Sequence, residues 1–247
     1  MAFIEVNSQN IQDEHICCAF SDKKCSEGYE LKKEWLKGQF AGGGKFIKLD
    51  ERAKVFIEYA PAEHVWLPLH ADNYMYISCF WVSGKYKGHG YGKKLLKEVL
   101  SDAENKAGIC VITSNKKRPF MNDPGFLKYN GFTKVDSAPP YFELWCLKND
   151  AASPDPQFYD SAKIAEIDSD TLTVFYSNAC PFTEYYVNHE LKGFAIDKEI
   201  PLEIIKLNSK ADADQLPVPW NIYSLFYQGK FLTHEIKSLK GLEKLIG

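Results

Sequence analysis

Three glycines at alternate positions, Gly88, Gly90 and Gly92, interrupt a lysine-rich stretch between an aromatic, β-branched run (Tyr74 to Val82) and an amphipathic one opening at Tyr91. This strand, turn and helix constrain the fold more than any other part of the chain. Alternating glycines let the backbone curl tightly and point successive N–H groups one way. At a helix N-terminus those unpaired donors and the helix dipole form a site for phosphate. Lys85, Lys87, Lys93 and Lys94 strengthen it for a polyanion. The segment therefore predicts a cofactor carrying pyrophosphate.

Two familiar phosphate loops do not fit. The P-loop needs Ser or Thr after its Gly-Lys, and Gly92-Lys93 is followed by Lys94. The dinucleotide fingerprint G-x-G-x-x-G has a spacing that Gly88-His89-Gly90-Tyr91-Gly92-Lys93 lacks. Lys87-Gly88-His89-Gly90-Tyr91-Gly92 instead resembles the acyl-CoA loop of the GNAT N-acetyltransferases, (Q/R)-x-x-G-x-(G/A), with Lys in place of the first Gln or Arg. The plain alternative is a glycine-rich turn. The preceding strand, the basic residues and Leu95-Leu96 favour the cofactor loop.

The chain has 247 residues, enough for one large domain or two small ones. A net charge of −3 provides no global basic field for nucleic acid. Met1-Ala2-Phe3-Ile4-Glu5 lacks the basic start and apolar run of a signal peptide, and Tyr74 to Val82 is too short to span a bilayer. Seven scattered cysteines without C-x-x-C spacing argue against a disulfide framework and a metal site, and for a reducing cytoplasm.

Hydrophobic periodicity predicts strands at Phe3–Val6, Lys45–Leu49, Lys54–Tyr59, Tyr74–Val82, Ile109–Thr113, Phe132–Val135 and Tyr141–Leu147. Helices are expected over Asn10–Phe20, Gly28–Phe40, Tyr91–Ala107 and Pro124–Tyr129. That order is an α+β pattern. A Pro-, Ala- and Asp-rich stretch from Asn149 to Gln157 reads as a linker. Beyond it come strands at Thr171–Tyr176, Leu202–Leu207, Asn221–Tyr227 and Lys230–Ile236, with helices at Pro181–Leu191 and Leu239–Ile246.

Phe126-Leu127-Lys128-Tyr129-Asn130-Gly131-Phe132 resembles a second GNAT signature, a short helix ending in Gly-Phe. The whole chain resembles bacterial GNAT proteins with a YoaP-like C-terminal domain. The resemblance implies a GNAT domain over residues 1–148, a linker over 149–165 and a YoaP-like thioredoxin-fold domain over 166–247. It implies acetyl-CoA (CoA) as cosubstrate, with the backbone of Phe80, Trp81 and Val82 along the pantetheine arm. Amides from Lys87 to Lys93 (Lys87, Gly88, His89, Gly90, Tyr91, Gly92, Lys93) would hold the pyrophosphate. The substrate amine attacks the thioester directly, which needs a proton acceptor and a proton source for the departing thiolate.

The family often places a tyrosine acid four residues before the Gly of Gly-Phe, where this chain has Leu127. Tyr129 lies two residues on and would point elsewhere on a helix. Glu58, Glu63 and His64 are base candidates; Glu58 in the alternation Phe56-Ile57-Glu58-Tyr59 and His64 in its loop also read as solvent-facing. Cys79 is either an acyl-accepting thiol or a small buried side chain.

In the C-terminal half, Cys180 stands between a strand and a helix, a position that favours a reactive thiolate. Pro217-Val218-Pro219-Trp220 before a strand resembles the thioredoxin-family cis-proline element, with Pro219 as the cis residue. The redox pair is incomplete, because Cys180-Pro181-Phe182-Thr183 has no second cysteine. The leading expectation is an N-acetyltransferase for a small-molecule or peptide amine, monomeric or homodimeric, without nucleic-acid or membrane partners. The alternatives are a monothiol protein centred on Cys180 and a non-catalytic acyl-CoA-binding module.

Overall fold

The structure is a computed structural model that describes residues 2–246; Met1 and Gly247, the outer ends of the expected domains, lie outside the described residues. The chain forms two compact units. The first comprises residues 1–18, 36–65 and 69–159, and the second 19–35, 66–68 and 160–247.

The first unit is built on β1 (Phe3–Val6), β2 (Lys45–Leu49), β3 (Val55–Pro61), β4 (Leu69–His70), β5 (Tyr74–Val82), β6 (Gly108–Ser114), β7 (Thr133–Ala138), β8 (Phe142–Lys148) and β9 (Gln157–Phe158). Its helices are α2 (Tyr91–Asp102) and α3 (Pro124–Tyr129), while α1 (Ser26–Ala41) runs through residues of both units. Seven strands form one mixed sheet in the order β1-β2-β3-β5-β6-β8-β7. Every neighbouring pair is antiparallel except the central pair β5 and β6.

Leu95, Leu96 and Val99 put an apolar stripe on α2, and all three are buried. That stripe packs with Ile47, Val55, Ile57, Ile77, Ile109 and Val111 from the sheet. The last turn of α2 is tied down as well: the Tyr59 hydroxyl donates to Asp102 Oδ2 at 2.6 Å, and Lys45 meets the same carboxylate at 2.8 Å.

Residues 149–159 are built into this unit, with Leu69 pairing Phe158 in a two-stranded sheet and the Tyr74 hydroxyl donating to the Pro154 carbonyl. Asn10–Phe20 is not helical. Backbone bonds of helical type occur at its start, from the Glu14 amide to the Asn10 carbonyl at 3.0 Å, but Cys17 takes a left-handed φ of 44°, which interrupts a right-handed helix.

The second unit carries β10 (Leu172–Tyr176), β11 (Leu202–Lys206), β12 (Tyr223–Tyr227) and β13 (Lys230–Thr233), in the order β11-β10-β12-β13. β10 and β11 are parallel, and β12 and β13 complete the sheet as an antiparallel hairpin. The crossover between β10 and β11 is a helical run: α4 (Thr183–Tyr185), a π-helical turn (Tyr186–Leu191) and α5 (Lys192–Asp197). Val187, Leu191 and Phe194 bury its inner face beside α7 (Leu239–Ile246), whose Leu242 joins the same core. A further short helix, α6 (Lys210–Asp214), follows β11. The Val218–Pro219 bond is not cis; the cis peptide among the described residues is Pro139–Pro140.

Candidate active site

The central strand is interrupted at Ser78. Glu58 of β3 pairs with Cys79, whereas Tyr59 pairs with Ile77, leaving Ser78 as an extra residue in β5. Such a bulge bends its strand and re-aims the residues beyond it. β5 and β6 pair only from Tyr74 to Tyr76 against Gly108 to Cys110, and beyond the bulge they have no shared register. The sheet is thus split at its parallel seam.

Backbone direction in the split follows from alternation. The Ser83 amide donates to the Lys54 carbonyl at 3.0 Å, so Trp81 also turns its backbone groups toward β3. Those of Phe80 and Val82 turn the other way, into the split. The expected pantetheine-facing set of Phe80, Trp81 and Val82 is therefore narrowed: the Trp81 backbone is directed toward Phe56.

A cavity of about 660 Å³ opens beside the split. One wall is Phe80, Trp81, Val82 and the glycine loop; the other is the segment from Lys117 to Asp123 with Phe126 of α3. Nine of the ten expected cofactor residues line it, namely Phe80, Trp81, Val82, Lys87, Gly88, Gly90, Tyr91, Gly92 and Lys93; His89 is not among the lining residues.

The loop is shaped for close approach of a ligand. Gly88 (φ 80°) and Gly90 (φ 76°) adopt left-handed conformations, and a Cβ at either would meet nothing within 4 Å. The Lys87 amide, expected to face the ligand, instead donates to the Gly84 carbonyl at 3.2 Å. The amides of Gly88, His89, Gly90, Gly92 and Lys93 have no hydrogen-bond partner among the described residues. The first helical bond runs from the Lys94 amide to the Gly90 carbonyl, so these donors stand at the positive end of α2. Arranged this way, they can bind phosphate oxygens.

The expected catalytic residues do not gather at this cavity. Glu58 is 6% exposed, contrary to a solvent-facing position, and its strand partner across the bulge is Cys79. The Glu63 carboxylate accepts the Asn73 amide at 2.7 Å and holds a turn. Tyr129 is 72% exposed, and its hydroxyl accepts a bond from Lys93 Nζ at 3.2 Å. His64 lies in a short helical turn outside the cavity lining. Cys180 belongs to the second unit, half-buried, where its carbonyl accepts the Thr183 hydroxyl at 2.7 Å. Cys79 is also half-buried. No cluster of three metal-ligating side chains occurs among the described residues.

The second wall lies outside the residues expected to bind the cofactor. Thr113 Oγ1 donates to the Asn122 carbonyl and Ser114 Oγ to the Lys116 carbonyl, both at 2.6 Å, so the segment is pinned at its two ends. Asp123 caps α3 through the Gly125 amide and pairs with Lys117 at 2.7 Å. The Lys117 ammonium beside it holds the Asp123 carboxyl below its ordinary value, helped by that amide. A readable signal did exist: a basic run, Lys116-Lys117-Arg118, directly after a fully buried strand.

Residues 9–123 match the family described as "Acetyltransferase (GNAT) family", and residues 201–244 match "YoaP-like". Over 248 residues the chain is 41% identical to the uncharacterized N-acetyltransferase YoaP of Bacillus subtilis (strain 168), covering 100% of this chain and 98% of that relative. The chain belongs to the GNAT acetyltransferase family. Acetyl-CoA is the cosubstrate of that family. Among solved structures, an acetyltransferase of the GNAT family from Staphylococcus aureus Mu50 is 18% identical, with a TM-score of 0.42 over 60% of this chain and 99% of that one. A GNAT family acetyltransferase from Brucella melitensis in complex with acetyl-CoA is 16% identical, with a TM-score of 0.38 over 64% and 96%. The matched GNAT segment contains the glycine loop and every cavity-lining residue except Phe126 and Leu127.

Proposed function

We propose that this GNAT acetyltransferase transfers the acetyl group of acetyl-CoA to a small-molecule amine by direct attack in the split between β5 and β6. One observation carries the reading: of the five partnerless amides of the loop and helix terminus, four belong to residues lining a cavity (Gly88, Gly90, Gly92 and Lys93) that continues along the freed edge of β5. Gly88, His89, Gly90, Gly92 and Lys93 hold the diphosphate through their amides, with Lys87 adding charge. The outward-facing backbone of Phe80 and Val82 pairs with the pantetheine arm. The amine nitrogen forms its bond to the carbonyl carbon as the carbon–sulfur bond breaks; the nitrogen gives up one proton, and the departing thiolate takes one from solvent.

Glu58 is the group we assign to accept the proton of the incoming amine. It is buried in the strand facing the bulge, two residues from Ala60, the partner of Tyr76 at which β5 leaves β6. The second unit is read as thioredoxin-like, supported by its sheet order and the helical crossover between parallel β10 and β11. With Thr183 in place of a second cysteine, it serves recognition rather than dithiol chemistry. The odd, scattered cysteines support a reducing cytoplasm as its compartment. Thiol release from acetyl-CoA, followed across a panel of amines, tests the assignment. Saturable, amine-dependent release supports it, and acetyl-CoA hydrolysis at a rate indifferent to every amine contradicts it.

A further inference from the structure

We propose that Arg118 recognises a carboxylate on the acceptor, so that the substrate class is amines that also carry a carboxylate group, such as amino acids. The inference rests on the cavity being the acetyl-transfer site described above. Arg118 lines that cavity on the wall facing the glycine loop. Its guanidinium carbon lies 3.8 Å from the centre of the Tyr141 ring. The planar group thus rests its face on an aromatic surface, an arrangement that leaves the N–H donors around its edge available.

Those donors lack a protein acceptor. The Arg118 Nε is buried without a hydrogen-bond partner, and the ring of Tyr141 is the only partner of the side chain among the described residues. A buried donor left unpaired costs free energy that a bound acceptor recovers. The Nε edge of a guanidinium presents two parallel N–H groups, which matches the two oxygens of a carboxylate.

Charge balance favours a carboxylate over another phosphate. The neighbouring Lys117 is already paired with Asp123, so this wall offers one uncompensated positive charge, suited to a monoanion. The diphosphate has its own cradle in the partnerless amides of the glycine loop on the facing wall. Tyr141 also fixes the pair in place: its carbonyl accepts the Asn115 amide at 3.2 Å at the mouth of β6, so the ring and the arginine segment are joined by backbone.

The test compares L-amino acids, their α-carboxamides and the corresponding decarboxylated amines as acceptors of acetyl-CoA, with wild type, Arg118→Gln and Arg118→Lys. Wild type is expected to prefer the carboxylates. Arg118→Gln should collapse the carboxylate-to-carboxamide ratio of kcat/KM by about 100-fold, mainly through KM, as for truncating one partner of a buried charge pair. Arg118→Lys should restore part of it. Calorimetry with CoA and 3′-dephospho-CoA separates the other anion source. If Arg118→Gln abolishes discrimination between these two ligands, or weakens both by more than tenfold, the arginine serves the cosubstrate and the proposal is overturned. A wild-type preference for carboxamides or decarboxylated amines overturns it too, while leaving the acetyl-CoA site intact. Absence of any acetyl-CoA binding would remove the underlying reading and this inference with it.

Discussion

Gly92 lies directly against Phe126: a Cβ at position 92 would sit 3.0 Å from Phe126 Cε2. The contact joins the glycine loop to α3, and Phe126 in turn meets Phe80 edge-on with ring centroids 5.0 Å apart. The two signatures that stand 34 positions apart, at Gly92 and Phe126, are therefore one packing unit at the cavity.

Gly92→Val should push Phe126 aside and distort the amide cradle. Overpacking of this kind costs about 1–3 kcal/mol, which predicts a loss of CoA affinity of about tenfold or more. Lys87→Ala should cost less, about two- to threefold, because its charge is exposed to solvent and screening. Calorimetric titration of CoA into both variants reads the difference; equal losses would contradict the backbone-cradle account.

Much of this was legible in the chain itself. Helix α3 and helix α7 run over the residues their patterns predict, Pro124–Tyr129 and Leu239–Ile246, because each has a local stop or start signal such as Asp123-Pro124. The split was not legible. It depends on which strand β5 leaves after Tyr76, a non-local pairing, and on Ser78, whose bulge has no distinguishing residue type. Glu58 reads as solvent-facing from alternation alone, yet the face it shares with Phe46 and Phe56 is buried. The left-handed Cys17 likewise breaks a helical pattern over Asn10–Phe20 that periodicity favoured.

Glu58→Gln tests the assigned proton acceptor. General-base loss typically lowers rate by about 10²–10⁴-fold. The variant should show that fall in kcat, with CoA binding retained. A variant with wild-type kcat would remove Glu58 from the chemistry.

His15 gives the first unit a pH-dependent element away from the cavity. Burial is the main cause that lowers its pKa below the ordinary 6.5, with the Ala53 backbone bond opposing and Lys48 adding to the shift. A base with a lowered native pKa is held neutral when folded, so the unfolded chain binds the proton first as pH falls. Its contribution to stability is complete above 6.5 and is lost as pH drops below 6.5 toward the native value. NMR titration of the histidine ring should give a midpoint below 6.5, and His15→Asn should flatten the stability change between pH 7.5 and about 5.5. A midpoint above 6.5 would contradict the burial argument.

The central claim is that the glycine loop and the split strand edge together hold acetyl-CoA. Titrating acetyl-CoA into the full chain by calorimetry tests it most directly. The account predicts saturable binding of about one ligand per chain, with a Kd between about 1 μM and 1 mM, weakened about tenfold or more by Gly92→Val. No binding at millimolar acetyl-CoA, or binding that Gly92→Val leaves untouched, would contradict it.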